Sequence, residues 1–313
     1  MAMSLGFVFP GQGSQAVGML ADVAAEYPQV QAHFEAAGEA ISQPLWRIVS
    51  EGPDSELVRT EITQPALLTA SVALWSIWRA EGGTAPACMA GHSLGEYSAL
   101  VCAGALEFED AVRLVNRRGQ LMQQAVPQGE GAMAAVLGLE DDQVEAVCAE
   151  IEGVVSAANY NAPGQVVIAG AAESVAVAAE RLKDAGARRA QLLPVSGPFH
   201  CALMRPAQDA FAADLDAVTL TAPGIPVVQN VDAAVAADVD ELRRRLLEQI
   251  SQPVLWSACV RAMTDRGVDR FVECGPGRVL SGLIKRIDKS ANADHLGSLE
   301  ALRQALEKDR AES

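Results

Sequence analysis

The feature that most constrains this 313-residue chain is a five-residue turn, Gly91-His92-Ser93-Leu94-Gly95. It follows a short apolar run, Cys88–Gly91, and opens a run with helical spacing, Leu94–Cys102. A strand that becomes a helix through so few residues must bend sharply. Glycines on either side leave room for the crowded backbone, and the serine between them is pushed out of the chain path. Its oxygen then sits over a helix N-terminus, where free N–H groups favour developing negative charge. The pattern reads as a serine nucleophile at the end of a buried strand. The alternative is an ordinary turn serine, since small residues cluster in many turns.

The rest of the chain has a matching rhythm. Leu5–Phe9 is a buried strand closed by Pro10-Gly11. Helical periodicity runs through Tyr27–Ile41, Thr63–Glu81 and Glu107–Ala125, with Thr63 as a cap and Gly82-Gly83 as a stop. Strands alternating with helices predict an α/β core with a largely parallel sheet. From Gly131 the order changes. Strands at Ala132–Leu137, Val154–Tyr160, Gln165–Gly170 and Arg188–Leu193 enclose helices at Asp141–Glu150 and Ser174–Ala185. This β-α-β-β-α-β order is ferredoxin-like. Pro127-Gln128-Gly129 and Ser196-Gly197-Pro198 bound it. The expected layout is a large α/β domain over residues 1–127 and 197–313, with a small ferredoxin-like domain over 128–196 inserted. Beyond the insertion, Met204–Ala217, Val239–Ile250 and Val279–Ile287 read as helices, and Pro226–Gln229 and Arg270–Glu273 as strands. Gly275-Pro276-Gly277 reads as a tight turn, and the tail after about Glu307 as disordered.

A net charge of −16 argues against nucleic-acid and anionic-membrane binding, because both require positive potential. The six cysteines form no C-x-x-C pair and match no zinc spacing, so no metal is expected. They read as buried thiols in a reducing compartment. No basic region precedes the short Leu5–Phe9 run, and no stretch approaches a membrane span. A soluble, cytoplasmic protein is expected, and the absence of a dimerisation stripe points to a monomer.

A serine hydroxyl needs a base, and there are four histidines. His33 falls on a polar helix face and His295 in a loop near the C-terminus. His92 adjoins the serine, but successive side chains at a strand end point to opposite sides. His200, in Pro198-Phe199-His200-Cys201 at a domain boundary, remains. Its alternative is a loop histidine held by packing. Several acids lie between Ser93 and His200 that could orient the ring, and none has a distinguishing context. The loop Pro10–Gln15 contains Gly11-x-Gly13, the start of a dinucleotide fingerprint that lacks its later elements. It reads better as a loop whose N–H serves as a second oxyanion donor. Arg117 and Arg118 project about 100° apart on one helix. One is expected in solvent, and the other could grip a substrate carboxylate with two hydrogen bonds.

Four segments occur together and in order: Phe9-Pro10-Gly11-Gln12-Gly13-Ser14-Gln15, Gly91-His92-Ser93-Leu94-Gly95-Glu96, Arg118-Gly119 and Gly197-Pro198-Phe199-His200. In this the chain resembles the malonyl-CoA:acyl-carrier-protein transacylases of type II fatty acid synthesis, and is similar to the acyltransferase domains of polyketide synthases. The resemblance spans about Leu5 to Ile287. It implies a hydrolase-like large domain, Ser93 as the residue that becomes malonylated, and His200 as general base. It implies that a main-chain carbonyl, at Gln249, orients the imidazole in place of an acid. The N–H groups of Leu94 and Gln12 would be the oxyanion donors, and Arg118 would pair with the malonyl carboxylate. Leu94 after the serine and Phe199 before the histidine match the malonyl-type pattern. Phe199 would crowd a 2-methyl branch, a discrimination worth about 1–3 kcal/mol. No permanent cofactor is implied: malonyl-CoA is substrate and coenzyme A product. The partner would be an acidic holo acyl carrier protein, for which Arg117, Arg188, Arg189, Lys285 and Arg286 are candidate docking residues. A serine esterase or thioesterase, a non-catalytic carrier-docking module and an acyltransferase of a polyketide pathway are the competing readings.

Overall fold

The computed structural model describes residues 4–312. Its nine strands are β1 (Leu5–Phe9), β2 (Cys88–Gly91), β3 (Gly131–Leu137), β4 (Val155–Ala162), β5 (Gln165–Ala171), β6 (Arg189–Leu192), β7 (Val227–Val228), β8 (Arg270–Glu273) and β9 (Asn292–His295). Five make a wholly parallel sheet in the order β7-β2-β1-β8-β9. Four make an antiparallel sheet in the order β4-β5-β3-β6, the pairing that the β-α-β-β-α-β reading requires. The α/β class with a separate ferredoxin-like sheet is thus the fold observed.

Both faces of the parallel sheet are covered, as helix crossovers dictate. Phe7 and Phe9 of β1 face one way, into a cluster with Leu67, Trp78 and Leu100. Val8 faces the other, against Trp256, Val260 and Met263. This is the side-chain alternation of a strand. A third cluster, built on Val136, Ile168, Val175 and Leu182, joins the antiparallel sheet to its two helices. The antiparallel sheet is tied by main-chain hydrogen bonds to Val254, in the segment between the helices Val239–Glu248 and Trp256–Asp265: Tyr160 N–H of β4 donates to Val254 O at 2.9 Å, and Val254 N–H to Ala158 O at 2.9 Å.

Several expectations need correction. The second long helix is Thr60–Ala80, so Thr63 is not its cap. Thr63 lies inside the first turns, and its hydroxyl donates to Leu57 O. The helix spans Pro65, which falls near the N-terminal end, where few backbone bonds are lost. His295 lies in β9, not in a loop. The C-terminal tail is not disordered: Leu299–Glu312 is a helix with Leu302, Ala305 and Leu306 buried. It supplies Asp309 and Glu312 to Arg270 of β8, whose guanidinium is otherwise enclosed. Helices Ala21–Glu26, Leu45–Glu51, Asp54–Leu57 and Trp256–Asp265 were not expected. Three of these are too short to carry a periodic pattern.

Phe9 of β1 and Gly91 of β2 are register partners. The loops leaving the two strands therefore start side by side at the C-terminal edge of the parallel sheet, where ligands bind in open α/β folds.

Candidate active site

The turn after β2 is as tight as its glycines suggest. Ser93 has φ 51°, in the left-handed region, and the helix Gly95–Cys102 begins two residues later. A Cβ on Gly91 would lie 1.8 Å from Gly95 C, and one on Gly95 2.0 Å from Phe9 O. Only hydrogen fits at either position. The strained serine is held by its neighbours, since Ser93 N–H donates to Asn230 Oδ1 at 2.8 Å.

Ser93 Oγ lies 2.7 Å from His200 Nε2, and His200 Nδ1 lies 2.8 Å from Gln249 O. A carbonyl only accepts, so Nδ1 carries the proton and Nε2 is free to accept from the serine hydroxyl. The ring is 4% exposed. Burial first, and the charge of Arg118 second, push its pKa down to about 3, so the imidazole is neutral near pH 7. His92 points elsewhere: its Nε2 sits 2.8 Å from Asn161 Oδ1, and burial lowers its pKa.

Arg118 is buried at 1% exposure. Its Nη2 donates to Ser93 Oγ at 3.2 Å and to Gln249 Oε1 at 2.9 Å, and its Nη1 to Gln64 Oε1 at 2.9 Å. Its guanidinium carbon stands 5.4 Å from the Tyr97 ring centroid. Arg117, next along the same helix, points outward and pairs with Asp214 at 3.2 Å. Gly119 lets this helix touch the Thr60–Ala80 helix, for a Cβ there would lie 2.7 Å from Glu61 Cα.

These groups meet in a cavity of about 230 Å³ lined by Gln12, Ser93, Leu94, Arg118, Phe199 and His200. Its outer wall is apolar and includes Met133 and Val167 of the antiparallel sheet, with Val279 and Leu283 opposite. The amide N–H groups of Gln12 and Leu94 have no protein acceptor among the described residues. The same residues contain no group of three or more His, Cys, Asp or Glu side chains placed for a metal ion.

The remaining sequence candidates do not line the cavity. Arg188, Arg189, Lys285 and Arg286 are exposed. Arg286 Nη1 donates to Oε1 of Gln165, a cavity-lining residue, at 2.6 Å. Gln165, Leu137 and Arg189 are successive cross-strand partners. Two strand spacings, roughly 10 Å, therefore separate the backbones of Gln165 and Arg189. Sequence reasoning missed Gln64, Glu96, Asn161 and Asn230. Glu96 carried a signal, being the single charged residue in the apolar helix Gly95–Cys102.

Comparison with known proteins adds the following. The family profile described as acyl transferase domain matches residues 6–307. The malonyl CoA-acyl carrier protein transacylase of Escherichia coli K12 is 54% identical over 303 residues, covering 96% of this chain and 98% of that protein. The solved structure of the Coxiella burnetii malonyl CoA-acyl carrier protein transacylase is 46% identical, with TM-score 0.96 and 98% of each chain covered. A malonyl-transacylase solved in complex with its type II polyketide acyl-carrier protein is 48% identical, with TM-score 0.96, covering 97% of this chain and 99% of that one.

Proposed function

This chain belongs to the acyl transferase domain family, and from that premise we propose how it moves a malonyl group from malonyl-CoA to the phosphopantetheine thiol of an acyl carrier protein. The reaction is that of a malonyl-CoA:acyl-carrier-protein S-malonyltransferase, supplying fatty acid elongation. The observation that carries the residue assignment is the line Ser93 Oγ, His200 Nε2, His200 Nδ1, Gln249 O, with 2.7 Å and 2.8 Å at its two hydrogen bonds.

His200 Nε2 takes the Ser93 proton as Oγ attacks the thioester carbonyl. The N–H groups of Leu94 and Gln12 receive the oxyanion, each donor worth roughly 10²–10³ in rate. Collapse expels coenzyme A, whose sulfur takes the proton from the imidazolium. With its Nδ1 proton held by Gln249 O, the neutral ring presents a free Nε2 as base at rest and returns the proton from the same atom. The carrier thiol then gives its proton to His200, its sulfur attacks the malonyl-serine ester, and Oγ recovers the proton as it leaves. Arg118 pairs with the free malonyl carboxylate in place of its contact to Gln64, while Gln249 Oε1 keeps the guanidinium in position. Phe199 limits room beside the acyl α-carbon. These steps use protein groups and the two thioester partners alone.

The carrier docks on the basic rim formed by Arg188, Arg189, Lys285 and Arg286. Arg117 contributes least, its charge being offset by Asp214. Residues 128–196 act as an inserted small domain that supplies one wall of the cavity. We infer action as a monomer, since the Ser93–His200–Gln249 line needs no group from a second copy. Six free buried cysteines support a reducing, cytoplasmic setting.

The test is intact-protein mass after brief incubation with malonyl-CoA, with and without holo carrier protein, on wild type and Ser93→Ala. A malonyl adduct on wild type alone, discharged onto the carrier, is expected. Free malonate without an adduct, or an adduct that survives Ser93→Ala, would overturn the assignment.

A further inference from the structure

Behind the nucleophile lies a carboxylate that the steps above do not use. Glu96 is fully buried, in the first turn of the helix that follows Ser93. Its oxygens meet donors only. Oε2 accepts from Asn230 N–H at 2.8 Å and from Gln249 Nε2 at 3.1 Å, and Oε1 from Gln229 Nε2 at 3.2 Å. With the amides in these orientations, a proton on this carboxyl would set an O–H against an N–H. The geometry suits the ionised form.

Each of the two donors on Oε2 controls a different part of the nucleophile. Asn230 Oδ1 accepts from Ser93 N–H at 2.8 Å, and its Nδ2 donates to Gly91 O at 2.7 Å, so it clamps both sides of the strained turn. Gln249 Nε2 also donates to Ser93 O at 3.0 Å, while Gln249 Oε1 accepts from Arg118 Nη2 at 2.9 Å. The main-chain carbonyl of the same Gln249 holds His200. An amide side chain has two nearly isosteric orientations, and its surroundings choose between them. A carboxylate on one side forces the NH₂ toward itself and the oxygen toward Arg118. A neutral carboxyl would relax that choice.

We propose that Glu96 is a positioning residue for acyl transfer: as a carboxylate it fixes the Gln249 amide and Asn230, and through them aligns Arg118, Ser93 and His200. It acts at one remove, so the malonyl carboxylate can take Arg118 without competing against a protein carboxylate in contact. Titratable and charged groups facing Glu96 are Arg118 from the helix Phe108–Gln124, Tyr97 on its own helix and Cys259 from the helix Trp256–Asp265. Arg245, from the helix Val239–Glu248, reaches Gln229 Oε1 at 3.4 Å and pairs with Asp232. Burial pushes the Glu96 pKa up to about 7, against the pull of its N–H donors and Arg118. His200 titrates far lower, at about 3. A fall in rate as pH drops through neutrality that disappears when Glu96 is replaced by glutamine tracks protonation of Glu96.

The inference rests on Ser93 and His200 as nucleophile and base, and the experiment separates the two. Single-turnover acylation by malonyl-CoA is followed by intact mass on wild type, Glu96→Gln and Glu96→Asp. The burst amplitude counts competent sites and the rate constant reports alignment at each site. Loss of hydrogen bonds to a charged group predicts a rate constant about 10- to 100-fold lower in Glu96→Gln at full amplitude. It also predicts that the fall below neutral pH disappears in that variant. Glu96→Asp, which keeps the charge, should recover part of the rate and the pH dependence. A Glu96→Gln rate within threefold of wild type, or a loss confined to amplitude, would overturn the inference while leaving the nucleophile assignment intact. No wild-type adduct at all would instead overturn the assignment. If Glu96→Gln does not fold, Glu96→Asp decides beside wild type: a fall from pH 8 to pH 6 whose midpoint moves in Glu96→Asp supports the inference, and a flat wild-type profile or an unmoved midpoint overturns it.

Discussion

Replacing Arg118 by alanine should convert a malonyl-selective site into an indifferent one. The guanidinium is 1% exposed, and its Nη2 reaches the nucleophile oxygen at 3.2 Å. A substrate carboxylate entering this cavity exchanges water for two charge-assisted hydrogen bonds in a site with little solvent. Removing one partner of such a buried pair costs about 3–5 kcal/mol, because the other charge stays behind unpaired. At 1.4 kcal/mol per decade this is a fall of roughly 10² to 10³·⁵ in kcat/KM for malonyl-CoA. Acetyl-CoA has no carboxylate to strand, so its loss should be limited to the disturbed contacts of Ser93, Gln64 and Gln249. The measurement is kcat/KM for both donors at fixed carrier concentration, by mass of the acylated carrier. The malonyl-to-acetyl ratio should fall at least a hundredfold. Arg118 also depresses the His200 pKa, so its removal should move the acid limb of residual acetyl transfer to higher pH. Equal losses for both donors would refute the carboxylate role and leave Arg118 as a brace for the serine.

Four further outcomes are expected. Gly91→Ala and Gly95→Ala should destabilise by about 3 kcal/mol or more in denaturant melts, because a Cβ would fall at 1.8 Å and 2.0 Å from fixed backbone atoms. Gly282→Ala, in a helix with open space around it, should be neutral or stabilise by up to about 1 kcal/mol. Removing residues 299–312 takes the buried Leu302, Ala305 and Leu306 out of the core and two of the three carboxylates from Arg270, so the shortened chain should melt far lower or collect in the insoluble fraction. Charge reversal at Arg188 and Arg189 should raise the apparent KM for carrier protein more than that for malonyl-CoA, an effect that added salt should shrink; equal effects on both would remove these residues from the docking surface.

The serine turn was legible because its glycines are demanded by backbone contact, and backbone crowding leaves a compositional trace. The change of rhythm at Gly131 was legible for a similar reason, as strand and helix periods differ. Gln249 could be reached through resemblance alone. What it offers His200 is a main-chain carbonyl, and every residue has one. Glu96 and Asn230 are polar groups whose partners come from segments more than a hundred residues apart, a relation no local pattern encodes. The tail helix was readable and was misread. Leu302, Ala305, Leu306 and Asp309 fall at i, i+3, i+4 and i+7, one continuous face that runs past Glu307, where disorder was expected to begin.

The main-chain bonds between β4 and Val254 bear on how this molecule opens. Val254 lies five residues beyond Gln249, whose carbonyl holds the imidazole. Swinging the antiparallel sheet away from the parallel one would therefore pull on the helix end that sets the base. A hinge at this seam would spoil the serine–histidine distance each time it moved. The cleft behaves as a fixed slot, and a thioester arm must thread into a gap already shaped for it. Exclusion of water from the acyl-serine then falls to the arriving arm, and the long, flexible tether of the carrier supplies the motion that the enzyme forgoes.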